Sequence, residues 1–316
     1  MFHKQNNNQL ISLLHTFWEY IKKYDKITLC THIEPDGDTL GSAVGLQELI
    51  RLAFPNKQVR ISGDDYPRNL QFLLDGPAGL VDDTFFNESL KIVVDTSTYR
   101  RIYDQRVNPA TSLKIDHHHE EGEWMFAIGG DYWPATGEPL VVLADVLNLK
   151  TNQRCLEGLA TAILTDTEFL RERNISSQTF LALSWLIERG LDYLGLIKKL
   201  ALTNEENKLV FSYLNQKQRQ DNIDFLVVDT VVHNDIVRPL TAKFAEIASS
   251  EVCFMLLKKL DGKYRGEIRS KTSYDVSRVA KVFGGGGHFN SAGFIIEKPD
   301  QVKNIIQTIK SFEEKI

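Results

Sequence analysis

The sequence predicts an α/β protein of two domains: an N-terminal parallel sheet, a helical connector and a smaller α/β C-terminal domain. Three observations carry this. Apolar runs of strand length alternate with helical patterns through the first half of the chain. An all-helical stretch follows, from about Ser176 to Gln220. Strand-like runs then return, two of them joined by the hairpin signal Asp261-Gly262. The boundaries read as 1–190, 191–221 and 222–316.

The elements follow in order. Leu10, Leu13, Leu14, Phe17, Tyr20 and Ile21 recur at helical spacing, which predicts a helix over 9–23. Residues 26–31 form a short buried strand. Leu40, Val44, Leu46, Leu49 and Ile50 predict a helix over 39–54. Strands follow at 59–61, 91–94 and 112–115, then helices at 139–149 and 155–164. Gly190 and Gly195 punctuate the helical stretch, and a polar run over 216–222 closes it. Beyond it come strands at 225–228, 252–257 and 264–269, a short helix at 276–282, a strand at 294–296 and a closing helix at 302–312.

Composition narrows the function. The chain has 316 residues, 42% hydrophobic and 25% charged, enough to bury a substantial core. Its net charge of −5 argues against coating long or duplex nucleic acid and favours a small or short anionic substrate in a local site. Cys30, Cys155 and Cys253 are far apart and form no Cys-x-x-Cys pair, which argues against a disulfide framework and a structural zinc cluster. Residues 1–10 are polar, and no apolar run of about 18 residues occurs, so a soluble cytoplasmic protein without membrane association is expected.

The chemistry lies in four segments. His32, Asp36 and Asp38 follow the first strand, Asp95 follows the strand at 91–94, and Asp116, His117, His118 and His119 follow the strand at 112–115. Asp166 follows the helix ending near Leu164. In a parallel sheet, ligands bind beyond the carboxyl ends of the strands, so these residues converge on one edge. Carboxylates mixed with imidazoles suit borderline divalent ions such as manganese. Without metal, clustered aspartates raise one another's pKa. Two divalent ions about 3.5–4 Å apart can share one carboxylate and activate a water for attack on phosphorus.

Each piece alone has a plainer reading. A single Asp after a strand is usually a cap or turn residue, and Asp36-Gly37-Asp38 alone is a plausible loop. The conjunction of four segments carries the weight, with Glu34, Glu120 and Glu121 left as solvated charges. A second anion site is suggested downstream. Gly284 to Gly287 followed by His288 lets the backbone approach a ligand and its amides converge on an anion. Arg269 can grip phosphate in a bidentate manner.

His-x-x-x-Asp-Gly-Asp-x-x-Gly-Ser (His32 to Ser42), Val94-Asp95-Thr96, Asp116-His117-His118 and Thr165-Asp166-Thr167 resemble the four motifs of the DHH phosphoesterase family, in order and spacing. Arg269-Ser270, Asp275-Val276-Ser277, Gly285-Gly286-Gly287-His288 and Ala292-Gly293 resemble the DHH-associated domain. The resemblance implies a catalytic domain with two divalent ions, most simply Mn2+, and an active site in a cleft between the domains. It implies one ion on His32, Asp36 and Asp95, and the other on Asp38, Asp95, His117 and Asp166, with Asp95 bridging. His118 would contact a phosphate oxygen, with Asp116 orienting a neighbouring histidine. Gly41 and Ser42 would open the first helix close to the metals. Arg269, Ser270, the glycines 285–287 and His288 would bind the nucleotide and its phosphate.

The chain is most similar in organisation to the short stand-alone members. They are bifunctional oligoribonucleases (nanoRNases) that also dephosphorylate 3′-phosphoadenosine 5′-phosphate (pAp). The resemblance implies short RNA or a mononucleotide as substrate. It leaves open linear or cyclic dinucleotide signals, an inactive nucleotide-binding regulator, and whether the chain forms a homodimer. One departure falls in the fourth motif. Where the family commonly has a glycine after Thr-Asp-Thr and then Asn-Thr, this chain has Glu168 and then Asn174-Ile175. Glu168 adds negative charge near the expected substrate path, and Arg100 or Arg101 are candidates to offset it.

Overall fold

The computed structural model describes residues 8–313 except 97, 119–121, 131–132 and 172–174, so His119, Glu120, Glu121 and Asn174 lie outside the described residues. The chain divides into two compact units, Met1–Ala201 and Leu202–Ile316. Of the segment expected as a connector, the helix Tyr193–Leu200 falls in the first unit and the helix Asn204–Leu214 in the second.

The first unit opens with α1 (Asn8–Lys22), which buries Leu10, Leu14, Phe17, Trp18 and Ile21 on one helical face. Strands β1 (Lys26–Cys30), β2 (Gln58–Ser62), β3 (Leu90–Val94), β4 (Ser112–Ile115) and β5 (Phe126–Ile128) form one sheet in the order β2-β1-β3-β4-β5. Every pairing in it is parallel. β5 was not anticipated, because three residues are too few for a period to show. The strand order reverses beside β1, between its neighbours β2 and β3. A doubly wound sheet opens a ligand crevice at the carboxyl ends of the strands at such a reversal.

Helix α2 (Gly37–Ala53) starts directly after β1, and Asp36 caps it by accepting from the Asp38 and Thr39 amides. Between α2 and β3 the chain forms β2 and the short α3 (Asp83–Glu88). Helices α4 (Gly137–Val146), α5 (Gln153–Asp166), α6 (Ser177–Glu188) and α7 (Tyr193–Leu200) complete the unit. The α2–α5 contact is close because it is built on glycine. A Cβ on Gly41 would lie 2.4 Å from the Gly158 carbonyl oxygen, and one on Gly158 would lie 2.8 Å from the Gly41 oxygen. Gly41, expected near the metals, therefore serves helix packing.

The second unit holds a mixed sheet in the order β10-β11-β9-β8-β7-β6. Its strands are β6 (Gln218–Gln220), β7 (Ile223–Val231), β8 (Val252–Lys258), β9 (Tyr264–Ser270), β10 (Gly286–Gly287) and β11 (Ser291–Ile296). Its helices are α8 (Asn204–Leu214), α9 (Asn234–Ile247), α10 (Val276–Val282) and α11 (Val302–Glu313). Only β7–β8 is parallel. β8 shows why two helical layers are needed. Val252, Phe254 and Leu256 join the core with α10 and α11. Cys253, Met255 and Leu257 join the core with α8 and α9.

The structure corrects one expectation and adds one helix. The polar run at 216–222 is not helical: β6 pairs antiparallel with β7 across Asp221 and Asn222, whose φ values of 51° and 63° are those of a two-residue hairpin turn. Helix α9 went unread because Pro239 lies inside it, where proline removes an i→i−4 hydrogen bond. Burial of Ile236, Val237, Leu240 and Phe244 outweighs that loss.

Gly41→Ala is expected to lower stability by ~1–3 kcal/mol through overpacking of α2 against α5. Urea denaturation measures this, and an unchanged midpoint would remove the close-packing argument.

Candidate metal centre

The carboxyl ends of β1, β3 and β4 deliver the site. β1 leads into His32 and the Asp36 cap of α2, and the first turn of α2 carries Asp38. β3 ends immediately before Asp95, which holds a left-handed φ of 58°. A non-glycine residue in that region is uncommon, and such backbone strain clusters at functional sites. β4 leads into Asp116, His117 and His118. Asp166 is the last residue of α5, so the helix extends two residues beyond the end expected at Leu164.

These residues form two triads. His32, Asp36 and Asp95 each offer a ligand atom within a 4.8 Å span, and so do Asp38, His117 and Asp166. Asp95 joins them: one oxygen lies 3.5 Å from His32 Nε2, the other 3.3 Å from His117 Nε2. His32 Nε2 also lies 3.6 Å from Asp36. His117 Nε2 lies 3.2 Å from Asp166 and 3.7 Å from Asp38.

The surroundings fix which ring nitrogen faces inward. His32 Nδ1 donates to the Ile33 carbonyl at 2.9 Å, and His117 Nδ1 to the Trp133 carbonyl at 3.1 Å. A carbonyl only accepts, so each δ nitrogen carries a proton and each Nε2 points at the carboxylates. Asp38 is held from behind by the amides of Thr136 at 2.7 Å and Gly137 at 3.2 Å, and by the Ser42 hydroxyl at 2.9 Å. Ser42 thus reaches the site through Asp38. Asp116 accepts from the His117 and His118 amides, from His118 Nδ1 at 2.7 Å and from Lys114 Nζ at 3.1 Å. His118 stays about a quarter exposed while Asp116 is fully buried.

The electrostatics show a site short of positive charge. Burial, then the neighbouring Asp95 and Asp166, push the Asp38 carboxyl well above its usual range. Burial opposes charge on both histidines, yet the carboxylates override it. His32 is pushed up to about 10 by Asp36 and Asp95, and His117 is raised by Asp95, Asp166 and Asp38. Asp95 is also opposed by burial, but His117 and His32 hold it well below the carboxylate range. Protons on imidazoles supply the cationic charge that these carboxylates require. Bound divalent ions would supply the same charge, and oxygen and imidazole donors in this ratio fit them.

Other residues matter that the sequence reading passed over. Lys114, inside the buried strand β4, pairs with Asp116; a lysine between Leu113 and Ile115 was the available signal. Glu138, in the first turn of α4, is buried, and burial raises its carboxyl to about 7 against the lowering pull of Thr179 and His117. Glu168 has φ 46°, followed by Phe169 at 57° and Leu170 at 68°. A glycine at 168 would enter this left-handed turn without the Cβ penalty that Glu168 bears.

In the second unit Arg269 lies on β9, opposite Ser291 of β11, 3.3 Å from Glu267. Ser270 commits its hydroxyl to the Tyr274 carbonyl at 2.6 Å and to Asn290 at 2.8 Å. The glycine run is half of a hairpin rather than an open loop: Gly286 and Gly287 pair with Gly293 and Ala292. A Cβ on Gly285 would lie 2.1 Å from the Gly293 oxygen. His288 is exposed in the turn that follows.

Residues 220–315 match the DHHA1 domain, and fold and motifs together resemble those of DHH-type phosphoesterases. The protein from Streptococcus mutans serotype c named probable bifunctional oligoribonuclease and PAP phosphatase NrnA is 29% identical over 303 residues, covering 92% of this chain and 96% of that protein. A Bacillus subtilis protein named bifunctional oligoribonuclease and PAP phosphatase NrnA is 26% identical over 308 residues, covering 92% and 96%. The solved structure of an exopolyphosphatase-related protein from Bacteroides fragilis superposes with a TM-score of 0.76 at 19% identity, over 96% of each chain, which establishes the shared fold. Among the described residues no helix is long and apolar enough to cross a membrane.

Glu138 yields a pH prediction. Its folded pKa of about 7 lies above the ordinary 4.5, so its contribution is fully present below pH 4.5 and declines as pH rises toward 7. In chelator-treated protein, Glu138→Gln is expected to be more stable than the parent at pH 8 than at pH 5, by about 3 kcal/mol at most. Thermal unfolding at the two pH values checks this; a difference independent of pH would refute it.

Proposed function

We propose that this chain is a manganese-dependent cytoplasmic phosphoesterase that cleaves short oligoribonucleotides to mononucleotides and converts pAp to AMP. The observation that carries the reading is the pair of His/Asp triads joined through Asp95 at the carboxyl edge of the parallel sheet. The names of the full-length relatives support the substrate class.

His32, Asp36 and Asp95 would hold one ion, and Asp38, Asp95, His117 and Asp166 the other. Two such ions, when bound, supply Lewis-acid charge at phosphoryl oxygens and a nucleophile near neutral pH. The protein's part is preorganisation. Backbone carbonyls fix both imidazoles with Nε2 inward, and the amides at the start of α4 fix Asp38. Asp116 accepts a hydrogen bond from His118 Nδ1 and so holds the ring; in its doubly protonated form the ring would also donate from Nε2 to a phosphate oxygen. Arg269, Ser270, Gly285, Gly286, Gly287 and His288 of the DHHA1 domain would hold the nucleotide and its phosphate. The complete set of His and Asp ligands disfavours an inactive nucleotide sensor, in which loss of a ligand would be the usual sign.

Asp36→Ala and Asp166→Ala are each expected to reduce manganese-dependent turnover by at least about 10³-fold, because each removes a metal-holding charge while leaving the fold intact. Circular dichroism together with a substrate panel checks this. The panel is pAp, a dinucleotide RNA, longer RNA, single-stranded DNA, cyclic di-AMP and pyrophosphate. Full activity in either variant would overturn the metal assignment, and hydrolysis of pyrophosphate alone would overturn the nucleotide reading. Arg269→Ala is expected to raise KM for pAp and dinucleotide about tenfold or more with metal content unchanged. Unaltered KM for both substrates would remove the DHHA1 domain from substrate binding.

A further inference from the structure

A cavity of about 420 Å³ in the first unit is lined by Tyr99, Arg100, Pro109, Glu123 and Trp124 among others. None of these residues belongs to the two triads. Tyr99 and Arg100 come from the chain that follows β3, Pro109 from the turn that leads into β4, and Glu123 and Trp124 from the chain between β4 and β5. Tyr99 and Arg100 lie in a short helical turn, Tyr99–Arg101, just after Asp95. That turn is fastened to the first triad. The Ile33 amide donates to the Arg101 carbonyl at 2.7 Å, Tyr103 donates to the Thr31 carbonyl at 2.9 Å, and His32 bridges to Ile102. The opposite wall, Trp124, follows the Asp116-His117-His118 segment. Its ring lies 5.7 Å from Lys114 Nζ, and Lys114 holds Asp116, which holds His118.

The lining chemistry is specific. Tyr99 is 48% exposed and packs no other ring among the described residues. Arg100 and Arg101 are exposed and make no ion pair among the described residues, although most arginines of this unit are paired. An exposed tyrosine and a partly buried tryptophan beside an arginine without an ion pair among the described residues, in a protein of net charge −5, offer a recognition surface for a base and its phosphate. Glu123 adds an acceptor for ribose hydroxyls or exocyclic amines.

We propose that this cavity is a second nucleotide subsite. It takes the nucleoside beyond the scissile phosphate, stacking its base on Tyr99 and Trp124 with Arg100 on the flanking phosphate. The inference rests on the phosphoesterase reading and deepens it: the subsite is where the protein distinguishes a dinucleotide from a mononucleotide such as pAp.

The test compares Tyr99→Ala, Tyr99→Phe and Arg100→Ala with the parent in manganese, using a dinucleotide RNA and pAp. Tyr99→Ala and Arg100→Ala are each expected to lower the ratio of kcat/KM for dinucleotide over pAp about tenfold, the loss of one stacked base or one charged contact. Tyr99→Phe, which keeps the ring, is expected to retain the ratio. Calorimetric affinity for a phosphorothioate dinucleotide reads binding without turnover and is expected to fall in parallel. Unchanged ratio and affinity in both alanine variants overturn the subsite while the phosphoesterase reading stands. If the parent hydrolyses neither substrate, the phosphoesterase reading fails, and the calorimetry alone decides the subsite: dinucleotide bound no more tightly by the parent than by Tyr99→Ala overturns it.

Discussion

The site depends on one electrostatic constraint: four carboxylates and two imidazoles are gathered at the buried end of a parallel sheet with too little positive charge to balance them. Asp95 sits at the balance point, one oxygen facing His32 and the other facing His117. Desolvation makes each isolated charge expensive, so the assembly is tolerable only when cations, protons or metal ions, lie between the carboxylates. The raised Asp38, the depressed Asp95 and the raised histidines all express that shortage.

The surrounding fold can be understood as the means of holding this charge in place. The parallel sheet brings the ends of β1, β3 and β4 to a common edge, beside the reversal of strand order. Helix α4 aims its first amides at Asp38, and backbone carbonyls orient the two rings. The glycine contact between α2 and α5 lets the helix carrying Asp38 lie against the helix ending in Asp166. Lys114 extends the arrangement outward: it neutralises Asp116, and its aromatic neighbour Trp124 walls a cavity next to the same loops.

Motif and period made much of this legible. The residues of the two triads fall in segments that a parallel-sheet reading sends to one edge, because side chains just past strand ends are placed by topology rather than by distant packing. The strands of the first sheet were legible where they were apolar and long enough; β5, with three residues, was not. In the second unit α9 was hidden by Pro239, and the hairpin at Asp221-Asn222 was read as part of a helical run because local polarity resembles a connector. In these last two cases burial or turn geometry outweighed a local rule.

By itself, the sequence determined the residue types of the centre, their order along the chain, and the kind of ion and ligand they suit. Those follow from side-chain chemistry and strand periodicity, which are local. Only the tertiary structure decided that Asp95 faces both histidines, that Gly41 serves packing, that the glycine run is a hairpin arm, and that Lys114 and Glu138 lie close to the site. It also decided that Tyr99 and Trp124 line one cavity although 25 residues separate them in the chain. Such relations arise from segments brought together by the burial of shared apolar surface, and no local pattern encodes them.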